Sequence, residues 1–165
     1  MDFKEIDNLV YIIGKTEGHI DQSLFARIIL DEKNGPPPEV NLFNEKNNGE
    51  SLLTLIEKGF IKSAHDVSLG GLITAVCKMS IKGNKGFKFK KTKNFISEIE
   101  FFFAEDQGRY IIEINSKDQK EVVKILDKNS VYHEELGIII DKDIIINEKT
   151  KVTIDELKSY NTNWL

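Results

Sequence analysis

Lys62-Ser-Ala-His-Asp-Val-Ser-Leu-Gly-Gly71 joins two stretches of helical periodicity, and its reading decides the fold. From Lys62 the chain reads as a short buried strand ending in a turn that carries His65, Asp66 and Ser68. Gly70 and Gly71 permit positive φ, or close approach of a ligand, where the next helix opens. The free N–H groups and positive dipole end of that helix suit an anion such as phosphate. The same residues also fit a local role, with Ser68 capping the helix and the glycines serving packing.

On the N-terminal side, Leu52, Leu53, Leu55 and Ile56 fit one face of a helix that should stop at Gly59, and Phe60-Ile61 then leads into the strand. On the C-terminal side, Leu72, Ala75, Val76 and Met79 repeat at helical spacing up to Gly83. Further upstream, Leu9 to Ile13 is an apolar run stopped by Gly14 and reads as a buried strand. A polar loop then leads into Leu24, Phe25, Ile28 and Ile29 at helical spacing. Gln22 and Ser23 therefore sit at a second loop-to-helix junction, which fits an anion corner or a simple Ser or Asp cap. Gly35-Pro-Pro-Pro-Glu-Val40 is a rigid connector, because three prolines remove donors and hold the backbone near polyproline II.

In the second half, Phe87-Lys-Phe-Lys alternates as a strand with one wet face. Phe95 to Phe103 has a helical pattern, Tyr110 to Ile114 reads as a strand, and Lys117 to Lys128 as a helix with Val122, Val123 and Leu126 inward. Leu136 to Ile140 and Ile144 to Ile146 are expected to pair around Asp141-Lys142-Asp143. Thr153 and Glu156 have the spacing of a capping box that opens a last helix. Strands alternating with helices and one hairpin predict an α/β (α+β) fold, a mixed sheet covered by helices, with residues 1–165 forming one domain.

Composition narrows the function. The chain of 165 residues carries 23 basic against 27 acidic residues, and its only arginines are Arg27 and Arg109. A mildly acidic, lysine-rich surface argues against nucleic acid as a partner. The densest basic run, Lys82 to Lys93, is interleaved with Phe87 and Phe89 and reads as a solvated strand. Cys77, the sole cysteine, lies in an apolar helical run, so neither an intrachain disulfide nor a cysteine zinc site is expected. No stretch approaches the roughly 18 apolar residues of a spanning helix, so no membrane partner and a cytoplasmic setting are expected. Phosphate-loop, dinucleotide and hydrolase-elbow motifs have no match, and His19, His65 and His133 lie in separate segments without metal-ligand spacing.

Four stretches then carry a resemblance: Ile12-Ile-Gly-Lys-Thr-Glu-Gly-His-Ile-Asp-Gln-Ser-Leu-Phe25, Gly35-Pro-Pro-Pro-Glu-Val-Asn-Leu42, Ser63-Ala-His-Asp-Val-Ser-Leu-Gly-Gly-Leu72 and Phe103-Ala-Glu-Asp-Gln-Gly-Arg109. In order and spacing they resemble the C-terminal domain of the phosphoribosylformylglycinamidine synthase family, in the aminoimidazole ribonucleotide synthetase superfamily. Nearly the whole chain is covered. Departures are Leu69 where the family has an acidic residue, Ala104 in place of glycine, Asp106 in place of serine, and Asp21-Gln22 where small glycines are common.

The resemblance implies the last quarter of an enzyme in which ATP phosphorylates the amide oxygen of formylglycinamide ribonucleotide and ammonia from glutamine displaces the phosphate. ATP and Mg2+ are then bound mainly by domains absent here, and no cofactor, metal or catalytic residue is expected on this chain alone. The implied partners are the N-terminal domains of the same synthase, a glutaminase subunit or domain, and the ribonucleotide substrate. The implied substrate-binding residues are Gln22, Ser23, His65, Asp66, Ser68, Gly70 and Gly71, with the two corners facing a common cleft. Glu105 and Arg109 are expected to form either an ion pair or part of that cleft. An apolar or mixed face of the sheet should be left uncovered for the other domains. The alternative is a non-catalytic regulatory or interaction module of the same fold.

Overall fold

The computed structural model describes residues 1–92, 96–147 and 150–162. In chain order it contains β1 (Leu9–Ile13), α1 (Leu24–Ile28), α2 (Leu42–Glu57), β2 (Ile61–Asp66), α3 (Gly71–Gly83), β3 (Gly86–Phe89), α4 (Glu98–Phe103) and β4 (Tyr110–Ile114). These are followed by α5 (Gln119–Lys128), β5 (His133–Ile140), β6 (Ile144–Ile145), β7 (Lys151–Val152) and α6 (Ile154–Thr162). Phe95, the expected start of the fourth helix, and Lys93, at the end of the basic run, lie outside the described residues. No helix among the described residues is long and apolar enough to cross a membrane.

The seven strands form one mixed sheet in the order β2-β4-β1-β5-β3-β6-β7. Strand side chains point alternately to opposite faces, and β1 uses both. Val10 and Ile12 join Leu72, Val76 and Met79 of α3 and Phe101 of α4 in one core. Tyr11 and Ile13 join Leu55 of α2 and Val122 and Leu126 of α5 in the other. A strand apolar on every residue is thus explained by a helical layer on each side.

The N-terminal segment is fixed to this frame by a buried carboxylate. Glu113 of β4 accepts hydrogen bonds from Lys4 N at 2.9 Å, Glu5 N at 3.1 Å and Asn8 Nδ2 at 2.7 Å. Those donors supply the partners that a fully buried charge requires.

Four expectations are corrected. The strand ending at Asp66 is not buried: β2 is an edge strand, half exposed along its length, and pairs only with β4. The strands flanking Asp141-Lys142-Asp143 do not pair with each other, because β3 lies between them, antiparallel to β5 and parallel to β6. This insertion buries Phe87, which stacks on Phe3, and Phe89, which meets Phe102 edge to face. It needs glycine at 137, where a Cβ would strike the carbonyl of Lys88.

The second helix begins at Leu42, well before its apolar run, because Asn41 caps it by accepting Asn44 N at 3.0 Å. Lastly, no apolar sheet face is left uncovered among the described residues. Beyond β1 the second face turns polar, with Glu135 bonded to Lys90 at 2.9 Å and to Tyr11 at 3.3 Å. Exposed apolar side chains instead gather between Ile28 and Phe43.

Candidate functional site

The first corner forms where β2 gives way to α3. Val67 N donates to Arg109 O at 2.9 Å, and Gly71 N turns back to Ser68 O at 2.9 Å. Gly70 and Gly71 both hold positive φ, +83° and +69°. A Cβ on Gly71 would meet the carbonyl of Phe102 at 2.7 Å, so the corner lies tight against the end of α4. Gly70, not Ser68, occupies the cap position of α3, and it does so without a side-chain bond. Ser68 and Asp66 face solvent. His65 Nδ1 lies 2.6 Å from the carbonyl oxygen of Asp66, which can only accept, so this nitrogen carries the proton.

At the second corner Ser23 is fully buried and caps α1 by accepting Ala26 N at 3.1 Å. Gln22 sits at φ +63° with its side chain fully employed. Its Nε2 donates to Lys33 O at 2.9 Å and Gly35 O at 3.1 Å, and its Oε1 accepts from Arg27 at 2.8 Å. Both residues therefore shape the backbone; neither turns a polar group toward an open site.

The two corners meet on Glu105. Leu24 N and Gly70 N both donate to Glu105 Oε1 at 2.8 Å. The place where an anionic ligand was expected is taken by a carboxylate of the chain. Asp106 repeats the device on the preceding loop, accepting Glu17 N at 3.1 Å, Gly18 N at 3.1 Å and His19 N at 3.2 Å. Two adjacent carboxylates thus satisfy five backbone donors from three segments, which the dipole of the α3 start further favours.

Arg109 completes the clamp from below. Its fully buried guanidinium donates to Asp106 O at 3.1 Å, Thr16 Oγ1 at 2.9 Å and Ala104 O at 2.7 Å. Its ion-pair partner is Asp106, at 3.9 Å, and not Glu105 as the sequence suggested. Burial draws the Arg109 pKa below its ordinary value, and the charges of Asp106 and Glu105 oppose that shift.

A cleft of about 690 Å³ opens on the other side of the Gly14–His19 loop, lined by Lys15, Asn41, Asn44, Asn48 and Gln107 among others. None of the residues expected to bind substrate lines it. Asn41, Asn44 and Asn48 fall at the i, i+3, i+7 spacing of one helix face, a signal present in the sequence and missed there. Asp106 was visible only as a departure from the family pattern. Among the described residues no three His, Cys, Asp or Glu side chains are grouped to hold a metal ion.

Residues 5–147 match the family model described as AIR synthase related protein, C-terminal domain. Across all 165 residues the chain is 63% identical to the phosphoribosylformylglycinamidine synthase subunit PurL of Pelagibacter ubique and covers 23% of it. The Thermococcus sibiricus subunit of the same name is 37% identical over 135 residues, 79% of this chain and 19% of that one. The solved T. maritima PurL complexed with FGAR superposes with a TM-score of 0.76 over 94% of this chain and 28% of its own. At 18% identity that likeness shows the common fold alone. The chain spans 23% and 19% of the length of these two curated relatives.

Proposed function

Because the chain belongs to the family of AIR synthase related proteins, C-terminal domain, we propose that it is a substrate-positioning domain of a phosphoribosylformylglycinamidine synthase. The observation that carries this reading is the 63% identity across the whole chain. The reaction places ATP's phosphoryl group on the amide oxygen of formylglycinamide ribonucleotide, and ammonia then displaces phosphate to leave the amidine. Such chemistry depends on holding the reactants in line and stabilising charge, and a domain without a nucleophile can serve it by orientation.

Within the chain the proposed ligand edge is the exposed side of the first corner, His65, Asp66 and Ser68, with Gly70 and Gly71 shaping its backbone. Ser68 Oγ offers a donor and Asp66 an acceptor for ribose or phosphate oxygens and their hydroxyls. Gln22 and Ser23 support that edge through Leu24 and Glu105. ATP and Mg2+ enter this reading through the rest of the synthase, as does glutamine-derived ammonia. The proposed setting is the cytoplasm, with residues 1–165 acting as one domain.

The test is a graft. The matched quarter of the Pelagibacter ubique relative is replaced by this chain, and amidine formation is assayed with formylglycinamide ribonucleotide, ATP and ammonia. The expected result is turnover by the graft and none by the chain alone. A folded graft without turnover, or steady turnover by the chain alone, overturns the reading.

A further inference from the structure

Residues 27–44 run along the surface with Pro38 alone partly covered, yet they carry six large apolar side chains. Ile28, Ile29 and Leu30 stand at one end, with Ile28 65% and Ile29 66% exposed. Val40, Leu42 and Phe43 stand at the other, the last two 76% exposed. None of the six belongs to either core. Together they present on the order of several hundred Å² of apolar residue surface, the range in which an exposed patch marks an interaction site.

The segment is nevertheless held in one shape. His19 Nε2 is 3.0 Å from Pro36 O, Gln22 reaches Lys33 O and Gly35 O, and Glu32 N donates to Ala26 O at 2.9 Å. Three consecutive prolines stiffen the middle. A strap fixed before any partner arrives loses little conformational freedom on binding, which favours association. Its apolar surface also continues along α2. Leu53 and Ile56, both exposed, lie within about 60° of Leu42 around the helix, extending the surface by about 20 Å.

We propose that this strap, with the outer face of α2, is the docking surface for another part of the same synthase polypeptide, one that offers an apolar face with a hydrogen-bonding rim. The inference rests on the synthase reading above. This chain covers 23% of the Pelagibacter ubique relative, so most of that polypeptide lies outside the part matched here. The apolar parts of the two sheet faces are packed against this chain's own helices, and among the described residues the strap gathers six exposed apolar side chains in one segment. Asp31, Glu32, Lys33 and Glu39 sit between its two apolar ends, the arrangement of an apolar contact interrupted by a polar rim.

Hydroxyl-radical footprinting of the isolated chain and of the full-length Pelagibacter ubique graft tests it, read together with the graft's turnover. The expected result is at least a fivefold fall in the oxidation of Ile28, Ile29, Leu42 and Phe43 in the graft, with the protection of Ile28 and Ile29 abolished by L42E together with F43E. These positions are exposed, so the double variant leaves the chain's own unfolding midpoint nearly unchanged. Equal oxidation in chain and graft, with turnover intact, overturns the docking surface and leaves the synthase reading standing. Equal oxidation with no turnover overturns both. Protection already present in the isolated chain and growing with its concentration means that a second copy covers the strap, which also overturns the inference.

Discussion

The backbone amides of Leu24 and Gly70 donate to one and the same oxygen, Glu105 Oε1, each at 2.8 Å. Two helix starts from distant parts of the chain are thereby locked by a group that neither of them supplies. The clamp makes the corner a preformed edge, and it makes Glu105 the residue on which that edge depends.

Glu105→Ala leaves both amides without their acceptor and is expected to cost about 2 kcal/mol. Glu105→Gln keeps an acceptor oxygen and should recover at least half of that loss. Urea unfolding of the two variants measures the difference. Equal destabilisation would show that charge, and not the shared oxygen, holds the two helix starts.

Arg109→Lys should be more damaging than its conservative form suggests. The guanidinium reaches three acceptors in different directions from a fully buried position, and an ammonium cannot span them. The expected loss is about 3 kcal/mol, visible as a fall in thermal midpoint of the order of 10 °C. A midpoint within a few degrees of the native chain contradicts it.

Ser23→Ala and Ser68→Ala should separate cleanly. Ser23 caps α1 from a buried position, so its loss costs about 1 kcal/mol. Ser68 caps nothing and faces solvent, so its loss stays within about 0.5 kcal/mol. In the full synthase, Ser68→Ala should raise KM for the ribonucleotide with folding intact. An unchanged KM removes Ser68 from the proposed ligand edge.

Stability should decline on the acid side partly through two capping boxes. Backbone and side-chain bonds from Ser97 hold Glu100 below the ordinary value of 4.5, and those from Thr153 do the same for Glu156. A folded-state pKa lower than the unfolded one gives stability that is present above about 4.5 and is lost as pH falls through the folded value. Glu100→Gln with Glu156→Gln should flatten the acid limb of a plot of midpoint against pH. An unaltered limb would assign it to other carboxylates.

Burial pushes the Cys77 thiol up to about 11. At pH 8 roughly one molecule in a thousand then carries the reactive thiolate. Iodoacetamide should label the native chain far more slowly than the chain in denaturant, and equal rates would mean that α3 opens readily.

The fold class was legible because β1 is apolar on consecutive residues and α3 on one face, patterns that survive without knowledge of neighbours. Thr153 and Glu156 likewise announced their helix, and Thr153 Oγ1 accepts Glu156 N at 3.1 Å. The place of β3 between β5 and β6 was not legible. It is decided by the fit of Phe87 against Phe3 and by glycine at 137, contacts between residues far apart in sequence. At the candidate site, the meeting of the two corners could be anticipated from their positions at helix starts. What fills the junction could not, because a capping serine, a ligand phosphate and a glutamate from a later turn ask for the same backbone donors. The start of α2 was hidden for a simpler reason: its first two turns face a polar cleft and carry no apolar period.

The strand order has a consequence for the chain as it is made. Neither β1, β2 nor β3 pairs with another of the three; each ladder they form is to β4, β5 or β6, and the remaining one joins β6 to β7. A nascent polypeptide therefore reaches Arg109 with three strands synthesised and no sheet, and the carboxylates that gather its loops arrive just as late. Folding must wait for the second half, when long-range pairing closes all at once. Until then the unpaired apolar strands of the first half stand open to self-association, and they are the segment a ribosome-bound chaperone has most reason to shield.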